Sequence, residues 1–439
     1  MTTLLQSVAY SCAWVQSMKY TMLVCLLFLH AASSYASEFE TSPTLNLSDL
    51  IPARLISGPN HNVLLDVSSS GFQNSFVIES DYGQFMATGV FDLRIRIREV
   101  DALAYLKTMS KTEVFVDSLV DAGIDTAKSF TRMFTDPVGT VKGIPGGVTR
   151  LFSGYVDSTK RGVNYAQNIG KDSKDAEVDP KEFKKRNYLL SDTERQWAAE
   201  LKTDPYTTNL KLRAVIGEMS VVQFVGGLPV SYALPVTLSV TADVLGELAE
   251  KIYMQNASEL EVSNRVCLSD AGISPETIEE FFASDYMTPT MHSVFCASIG
   301  RLKGVKNLEL VAVQLPRTHS FRETRFLLNT VSLLAWYQKQ YKNIDRISSR
   351  TKLPYGITNN NELVAIVPAD YLIWSESLAA NVELLNDDER PFAEKSLWLL
   401  GQTSEKARRE FARRGWTIHD RDSDEQMANL FNFGLGEQE

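Results

Sequence analysis

Two cysteines and a histidine in the C-terminal half carry side chains whose types and spacing could support chemistry. His292 and Cys296 are four residues apart in a segment predicted to be helical, so both lie on one helix face, as metal ligands must. No third or fourth ligand stands at a recognisable spacing, so the sequence predicts neither a metal nor a cofactor.

Cys267 and Cys296 are the only cysteines after residue 36. Two cysteines in an oxidising compartment usually pair. We therefore predict a Cys267–Cys296 disulfide, which would stabilise the fold by roughly 3–4 kcal/mol through closure of the intervening loop. Two buried free thiols and a metal site are the alternatives.

The other residue types that catalysis needs are scattered along the chain. The sequence contains no GxSxG nucleophile elbow, Walker loop, GxGxxG fingerprint or HExxH zinc motif. The histidines after residue 36 are His61, His292, His319 and His419, and none is next to another. Because members of a catalytic triad need not be neighbours in sequence, a dispersed site stays open, in which one of the last three meets carboxylates or a serine.

A stripe of arginines is the first candidate binding surface. Residues 91–98 (FDLRIRIR) alternate apolar and charged side chains, a pattern typical of a half-buried antiparallel strand. Arg94, Arg96 and Arg98 would then share one face, where they could bind an anionic ligand or headgroup. The alternative is a solvated face whose charges are balanced by acids on a neighbouring strand.

A glycine-punctuated basic segment is the second candidate binding surface. Between residues 111 and 170 apolar residues recur every three or four positions, which predicts amphipathic helices. Gly139, Gly143 and Gly147 follow one another at four-residue steps. A helix there would present a stripe without side chains, which another backbone can approach closely. Residues 124–171 hold seven basic and three acidic residues, a net charge of +4.

Two interpretations of this segment differ in what its apolar face contacts. In the first, Lys142 and Arg150 lie at the headgroups of an anionic membrane while Phe152 inserts, or the same residues contact an envelope protein. In the second, the apolar face packs on the protein's own core and the charges are solvated.

Residues 1–36 indicate export. Lys19, a short apolar run and the small residues before Ser37 follow the order of a secretory signal peptide, whose translation would start at Met18. After cleavage the chain carries 43 basic and 54 acidic residues, a net charge of −11. Nonspecific nucleic-acid binding needs a basic footprint, so this charge argues against nucleic acid as a partner. The sequence predicts a protein of the periplasm or cell envelope, or a secreted one.

The predicted elements give a mixed fold, α+β or α/β, in five parts. These are a signal peptide (1–36), a β-rich region (37–110), the basic helical segment (111–170), a charged linker (171–190) and a mixed α/β domain (191–439).

Local signals divide the last part further. Ser274 and Ser320 are predicted N-caps, the second in a capping box with Glu323, and residues 307–313 resemble a strand. The uncharged run 219–242 is interpreted as two buried strands.

The chain ends in a predicted strand–helix–strand unit over residues 396–420. Asp420, Asp422 and Asp424 depart from the calcium-loop pattern at later positions and are assigned to an acidic tail.

Together these features predict an exported protein without enzymatic activity, whose segment 124–171 contacts a membrane or a partner. An extracytoplasmic hydrolase with a dispersed active site is the alternative.

Overall fold

A computed structural model describes residues 38–64, 68–69, 72–109, 179–220, 248–351, 353–386 and 391–432. The chain divides into two compact units, Met1–Thr41 and Ser42–Glu439, and the elements below all belong to the second. The fold is mixed α+β, as predicted. The predicted signal peptide and the basic segment 124–171 lie outside the described residues, as does the uncharged run from residue 221 onward.

A small antiparallel sheet opens the second unit. Its elements and the helices beside them are α1 (Leu47–Leu50), α2 (Ala53–Ile56), β1 (Asn62–Val63), β2 (Ser68–Ser69), β3 (Asn74–Ser80), β4 (Gly83–Thr88) and α3 (Val90–Met109). Strand β3 pairs antiparallel with β1, β2 and β4. Phe76 and Ile78 alternate along β3 and are fully buried, so this sheet covers the core with one face. Strands thus lie between residues 62 and 88 of the predicted β-rich region 37–110, which also contains the helices α1, α2 and α3.

The predicted strand over residues 91–98 is wrong, because these residues belong to α3, Val90–Met109. The helix is buried on several sides: Leu93, Val100 and Leu103 are fully enclosed, and Ile95 is also buried. A helix surrounded by protein carries apolar residues all round, and over eight residues this pattern can coincide with strand alternation. The helix extends over twenty residues, which is longer than ordinary strands, and an eight-residue window does not reveal this length.

A helical layer forms the middle of the described chain. Its helices are α4 (Pro180–Asn187), α5 (Asp192–Glu200), α6 (Leu210–Met219), α7 (Ala249–Met254), α8 (Ala257–Asp270), α9 (Pro275–Ala283), α10 (Pro289–Arg301), α11 (Glu309–Gln314) and α12 (Phe321–Gln340). Helix α10 packs against both α8 and α12.

The charged linker predicted at 171–190 is wrong for its second half, which forms α4. Asp179 caps the helix by accepting a hydrogen bond from the Lys181 amide at 3.0 Å, and Pro180 occupies the first turn. Phe183 is only 1% exposed and packs edge-on against Phe321, with ring centroids 5.3 Å apart. One apolar side chain therefore anchors a helix whose other residues are mostly charged.

The predicted N-caps are confirmed, whereas the strand predicted at 307–313 is wrong. Ser274 and Ser320 accept hydrogen bonds from the third residue of α9 and α12. The Glu323 side chain accepts from the backbone of His319, one residue before the cap, so the capping box is modified. Residues 309–314 form the short helix α11. Its valines favour a strand by propensity, but a segment of six residues is too short for propensity to distinguish a helix from a strand.

The C-terminal sheet is mixed. Its elements are β5 (Ile344–Ser348), β6 (Tyr355–Thr358), β7 (Leu363–Val367), β8 (Tyr371–Leu372), α13 (Glu376–Asn386), β9 (Lys395–Leu399), β10 (Gln402–Thr403), α14 (Glu405–Arg413), β11 (Trp416–His419) and α15 (Glu425–Asn432). The strand order is β11-β9-β7-β6-β5, in which β11, β9 and β7 are parallel and β7, β6 and β5 antiparallel. Strands β8 and β10 form a separate parallel pair.

The predicted strand–helix–strand unit is confirmed as β9-α14-β11. Ser404 caps α14, and Gly415, at φ +74°, ends it in the left-handed conformation that favours glycine. The predicted acidic tail is wrong: Asp420 is fully buried, and Asp424 caps α15 by accepting from the Met427 amide at 3.2 Å. Of the three aspartates, only Asp422 is exposed, as an acidic tail would require.

One hydrophobic core joins the N-terminal sheet, the helical layer and the C-terminal sheet. Its residues run from Leu47 to Phe431. The predicted N-terminal region and C-terminal domain therefore share a core. Within the described residues, no helix is long and apolar enough to span a membrane.

Candidate functional site

The arginine stripe is not present as predicted. A helix rotates successive residues by about 100°, so residues two apart point in nearly opposite directions. Arg94 is buried and donates to the Phe431 carbonyl, while Arg98 is exposed. Burial lowers the pKa of Arg94 to about 10. Arg96 lies in a third environment, described below, so these residues form no common anion-binding surface.

The predicted Cys267–Cys296 disulfide is not formed, and both residues are free cysteines. They nevertheless face one another across the packed helices α8 and α10. The Cys267 thiol donates to the Cys296 carbonyl at 3.3 Å, and the Cys296 thiol donates to the Asn264 carbonyl at 3.4 Å. Among the described residues no cluster of three metal-ligating side chains exists.

His292 lies in an aromatic environment, not beside a carboxylate. Its ring centroid is 5.0 Å from that of Phe281 and 4.7 Å from that of Phe282. Burial lowers its pKa to about 3, and the nearby charges of Lys184 and Arg265 act in the same direction. The imidazole is therefore neutral at ordinary pH, and its Nε2 atom has no hydrogen-bond partner among the described residues.

His419 is the predicted histidine that does meet a carboxylate. Its Nδ1 lies 3.0 Å from Asp424 Oδ2, and its ring stacks on Trp398 at 3.8 Å with an interplanar angle of 6°. The neighbouring Ser423 hydroxyl bonds to Asp420, at 2.6 Å, and not to the imidazole. His319, the third candidate, is exposed, and its backbone amide donates to Glu323.

A buried polar cluster between α3, the loop before α6, α10 and α12 was not predicted from the sequence. We call it the Asp204 cluster; its charged members are Asp92, Arg96, Glu99, Asp204 and Arg325. Its hydroxyl members are Thr207, Thr208 and Thr290. Three carboxylates face two guanidinium groups, so the cluster carries a net charge of −1 when every acid is ionised.

Hydrogen bonds connect the cluster across elements that are distant in sequence. Arg96 donates to Glu99 at 2.7 Å and to the Thr208 hydroxyl at 2.6 Å. Glu99 also accepts from the Asn209 amide at 2.9 Å, and Arg325 pairs with Asp92. These contacts fix the loop before α6 to α3, and α3 to α12, because a buried charge left without its partner is costly.

Asp204 is the titratable centre of the cluster. It accepts from the Thr290 hydroxyl at 2.6 Å and from the Tyr206 amide at 2.9 Å. Burial raises its pKa to about 6, and those two hydrogen bonds oppose the rise. The side chain therefore gains a proton in mildly acidic solution. The sequence does not indicate this burial, because Asp204 precedes a proline and Asp-Pro pairs are also common in exposed turns.

A small cavity adjoins the cluster. Its volume is about 20 Å³, and its polar lining comes from Asp204, Arg325 and the hydroxyls of Thr207, Thr208, Thr288 and Thr290. This volume holds about one water molecule. Pockets for organic ligands are an order of magnitude larger. The arrangement can hold a water or a proton, and it is too small for an organic substrate.

The carboxyl ends of parallel strands are where α/β folds commonly bind ligands, and here the end of β7 contacts the N-terminal sheet. Asp370 follows β7 and accepts from the amides of Asn74 and Val90, each at 2.9 Å. Burial raises its pKa to about 6, and these bonds together with Arg94 and Arg421 oppose the rise. Asp370 thus joins the sheet to the start of α3.

No protein-family model, no curated protein and no solved structure matches this chain.

Proposed function

We propose that this chain is an exported, non-enzymatic protein of the periplasm or cell envelope whose segment 124–171 binds an anionic membrane surface. The distribution of charge carries the proposal. The chain from Ser37 has a net charge of −11, the segment has +4, and all other residues together therefore have −15. An anionic bilayer repels the acidic remainder and attracts the segment, so the segment is the part suited to contact it.

The amphipathic composition of the segment supports the same proposal. Its basic residues alternate with apolar positions at helical spacing, which suits a helix lying in the headgroup region. Each lysine or arginine near an anionic surface contributes about 1 kcal/mol. Replacing four of them should therefore weaken binding on the order of a thousandfold.

Flotation of the chain from Ser37 onward with lipid vesicles tests the proposal. No residue of the described core precedes Leu47, so this truncation leaves the core intact. Vesicles of phosphatidylcholine, with and without phosphatidylglycerol, would be compared at low and high salt. We expect flotation only with the anionic lipid, and weaker flotation at high salt because the attraction is screened.

Two variants with equal charge loss separate the segment from the rest. The first replaces Lys128, Arg132, Lys142 and Arg150 by Gln. The second replaces four exposed residues outside the segment, Lys181, Lys185, Lys303 and Arg317, by Gln. We expect the first variant to stay with the unbound protein and the second to float nearly as the parent does. Equal loss in both variants, or no flotation of the parent, would contradict the proposal.

Contact with an envelope protein is a distinct outcome of the same assay. In that case pure lipid vesicles would not bind the parent, whereas native envelope membranes would. Protease treatment of those membranes would then abolish binding.

The His419–Asp424 pair favours an extracytoplasmic hydrolase as the second candidate. A carboxylate that bonds Nδ1 orients an imidazole as in serine hydrolases, although Ser423 bonds elsewhere. A fluorophosphonate probe tests this candidate, because it labels a serine activated by a histidine. Labelling of the parent that is lost in His419→Gln would support the hydrolase, and absence of labelling in the folded parent would contradict it.

A further inference from the structure

We propose that Cys267 and Cys296 form a reversible dithiol–disulfide pair, in which Cys267 reacts first with a disulfide oxidant and Cys296 then closes the intramolecular bond. The protein would therefore exist in a reduced form, in which helices α8 and α10 pack against each other without a covalent bond, and in an oxidised form in which a disulfide joins them.

The reciprocal contacts of the two thiols are the first observation. Each thiol lies against the backbone of the other residue's helix: Cys267 Sγ is 3.3 Å from the Cys296 carbonyl, and Cys296 Sγ is 3.4 Å from the Asn264 carbonyl. The side chains also interact with each other. Closure therefore requires the two sulfur atoms to turn away from these carbonyl oxygens and toward each other.

The close packing of the two helices is the second observation. The Asn264 amide, one turn before Cys267, donates to the Ser293 hydroxyl at 3.0 Å. Both residues of this bond are fully buried. The interface is thus held beside the thiols in the reduced form, so a disulfide would reinforce an existing contact.

The unequal exposure of the thiols sets the order of reaction. Cys267 is half-buried, whereas Cys296 is buried. The interaction with Cys296 lowers the pKa of Cys267 to about 7, while burial raises the pKa of Cys296. Because the thiolate is the nucleophile, an oxidant that cannot reach Cys296 reacts at Cys267.

The chemistry balances with any small disulfide as oxidant, for which glutathione disulfide serves as the probe. The Cys267 thiolate attacks one glutathione sulfur, forms a mixed disulfide and releases one glutathione thiolate. Cys296 then loses its proton and attacks Cys267 Sγ, which releases the second glutathione. The two cysteines together lose two electrons, the glutathione disulfide gains them, and the two thiol protons pass to the two glutathiones.

The test uses the full chain with Cys12 and Cys25 replaced by Ser, so that only the pair remains. After incubation with glutathione disulfide, intact mass spectrometry should show the loss of two hydrogens and no bound glutathione. A thiol-alkylating reagent should then add nothing, and dithiothreitol should restore two reactive thiols under denaturing conditions. The denaturant midpoint should rise on oxidation and return on reduction.

Single replacements test the order. Cys296→Ser should retain one glutathione at Cys267, while Cys267→Ser should remain unmodified for as long as it is folded. Brief alkylation of the folded parent provides the same information without a variant, since Cys267 should be labelled before Cys296. A folded parent that forms no intramolecular disulfide, or one in which Cys296 is labelled first, would overturn the proposal.

Discussion

Replacing His292 by phenylalanine should remove a specific part of the protein's sensitivity to acid. The pKa of His292 falls from 6.5 to about 3 because the side chain is buried between aromatic rings. A group whose folded-state pKa is depressed contributes stability above its unfolded pKa, and this stability is lost as the pH falls. For His292 the loss begins near pH 6.5 and continues toward pH 3.

The size of the effect follows from the difference in proton binding. At pH 5 the unfolded state binds a proton at this site and the folded state does not. The pH lies about 1.5 units below the unfolded pKa, and each unit corresponds to about 1.4 kcal/mol. The parent should therefore lose about 2 kcal/mol between pH 8 and pH 5 through His292. His292→Phe keeps an aromatic ring between Phe281 and Phe282 and should lose none of this share.

Urea unfolding followed by tryptophan fluorescence at pH 8 and pH 5 measures the effect in the chain from Ser37 onward. The contribution of every other titrating group is common to the two proteins and cancels in the comparison. His319→Phe is the matched control, because it makes the same replacement at an exposed histidine outside the aromatic cluster. If His292→Phe lost as much stability as the parent between the two pH values, the assignment of a neutral, buried His292 would be wrong.

Three further predictions rest on other buried contacts. Burial raises the pKa of Asp204 to about 6, so ionisation of this carboxyl lowers the free energy of unfolding as the pH rises. Between pH 5 and pH 8 the parent should lose about 1.4 kcal/mol through Asp204, and Asp204→Asn should not show this loss in urea unfolding. An equal loss in the variant would contradict the burial of Asp204. A Cβ at Gly401 would lie 1.9 Å from the Asp370 carbonyl oxygen, so Gly401→Ala should lower the free energy of unfolding by about 3 kcal/mol. Gly300→Ala in helix α10 is the control, because a Cβ there would meet no atom within 4 Å, and this replacement should not lower the free energy of unfolding. Phe183→Ala should cost about 3–5 kcal/mol in the same assay, and a cost below about 1 kcal/mol would be incompatible with a helix α4 anchored in the core.

The elements that the sequence predicts correctly are those set by neighbours in the chain. Ser274, Ser320 and Ser404 cap helices because the bond each makes spans three residues, and Gly415 ends α14 through its own backbone conformation. The β9-α14-β11 unit follows from the same local signals. Each of these contacts was visible as a spacing in the sequence.

The elements and sites that the sequence misses depend on burial by distant residues. The sequence of residues 91–98 resembles that of a strand because the helix is buried on several sides. A pattern of eight residues does not show this burial. Asp204 and Thr290 are 86 residues apart, and Asp370 and Asn74 are 296 apart. The pKa shifts of His292, Asp204 and Asp370 all arise from such long-range packing. Residue type and spacing drew attention to His292 as a metal or catalytic candidate, and they gave no indication of Asp204 or Asp370.

The pKa shifts of His292, Asp204 and Asp370 act in opposite directions over the same pH range, and the balance of these three groups gives a last prediction. Asp204 and Asp370 each have a pKa raised to about 6, so together they destabilise the fold by about 3 kcal/mol between pH 5 and pH 8. His292 stabilises it by about 2 kcal/mol over the same rise. These groups should therefore change the parent's stability by only about 1 kcal/mol, less than either kind alone. The test is urea unfolding of His292→Phe, Asp204→Asn and the double variant at pH 5 and pH 8. The two single variants should change the pH dependence of the free energy of unfolding in opposite directions. The change in the double variant should equal the sum of the two single changes.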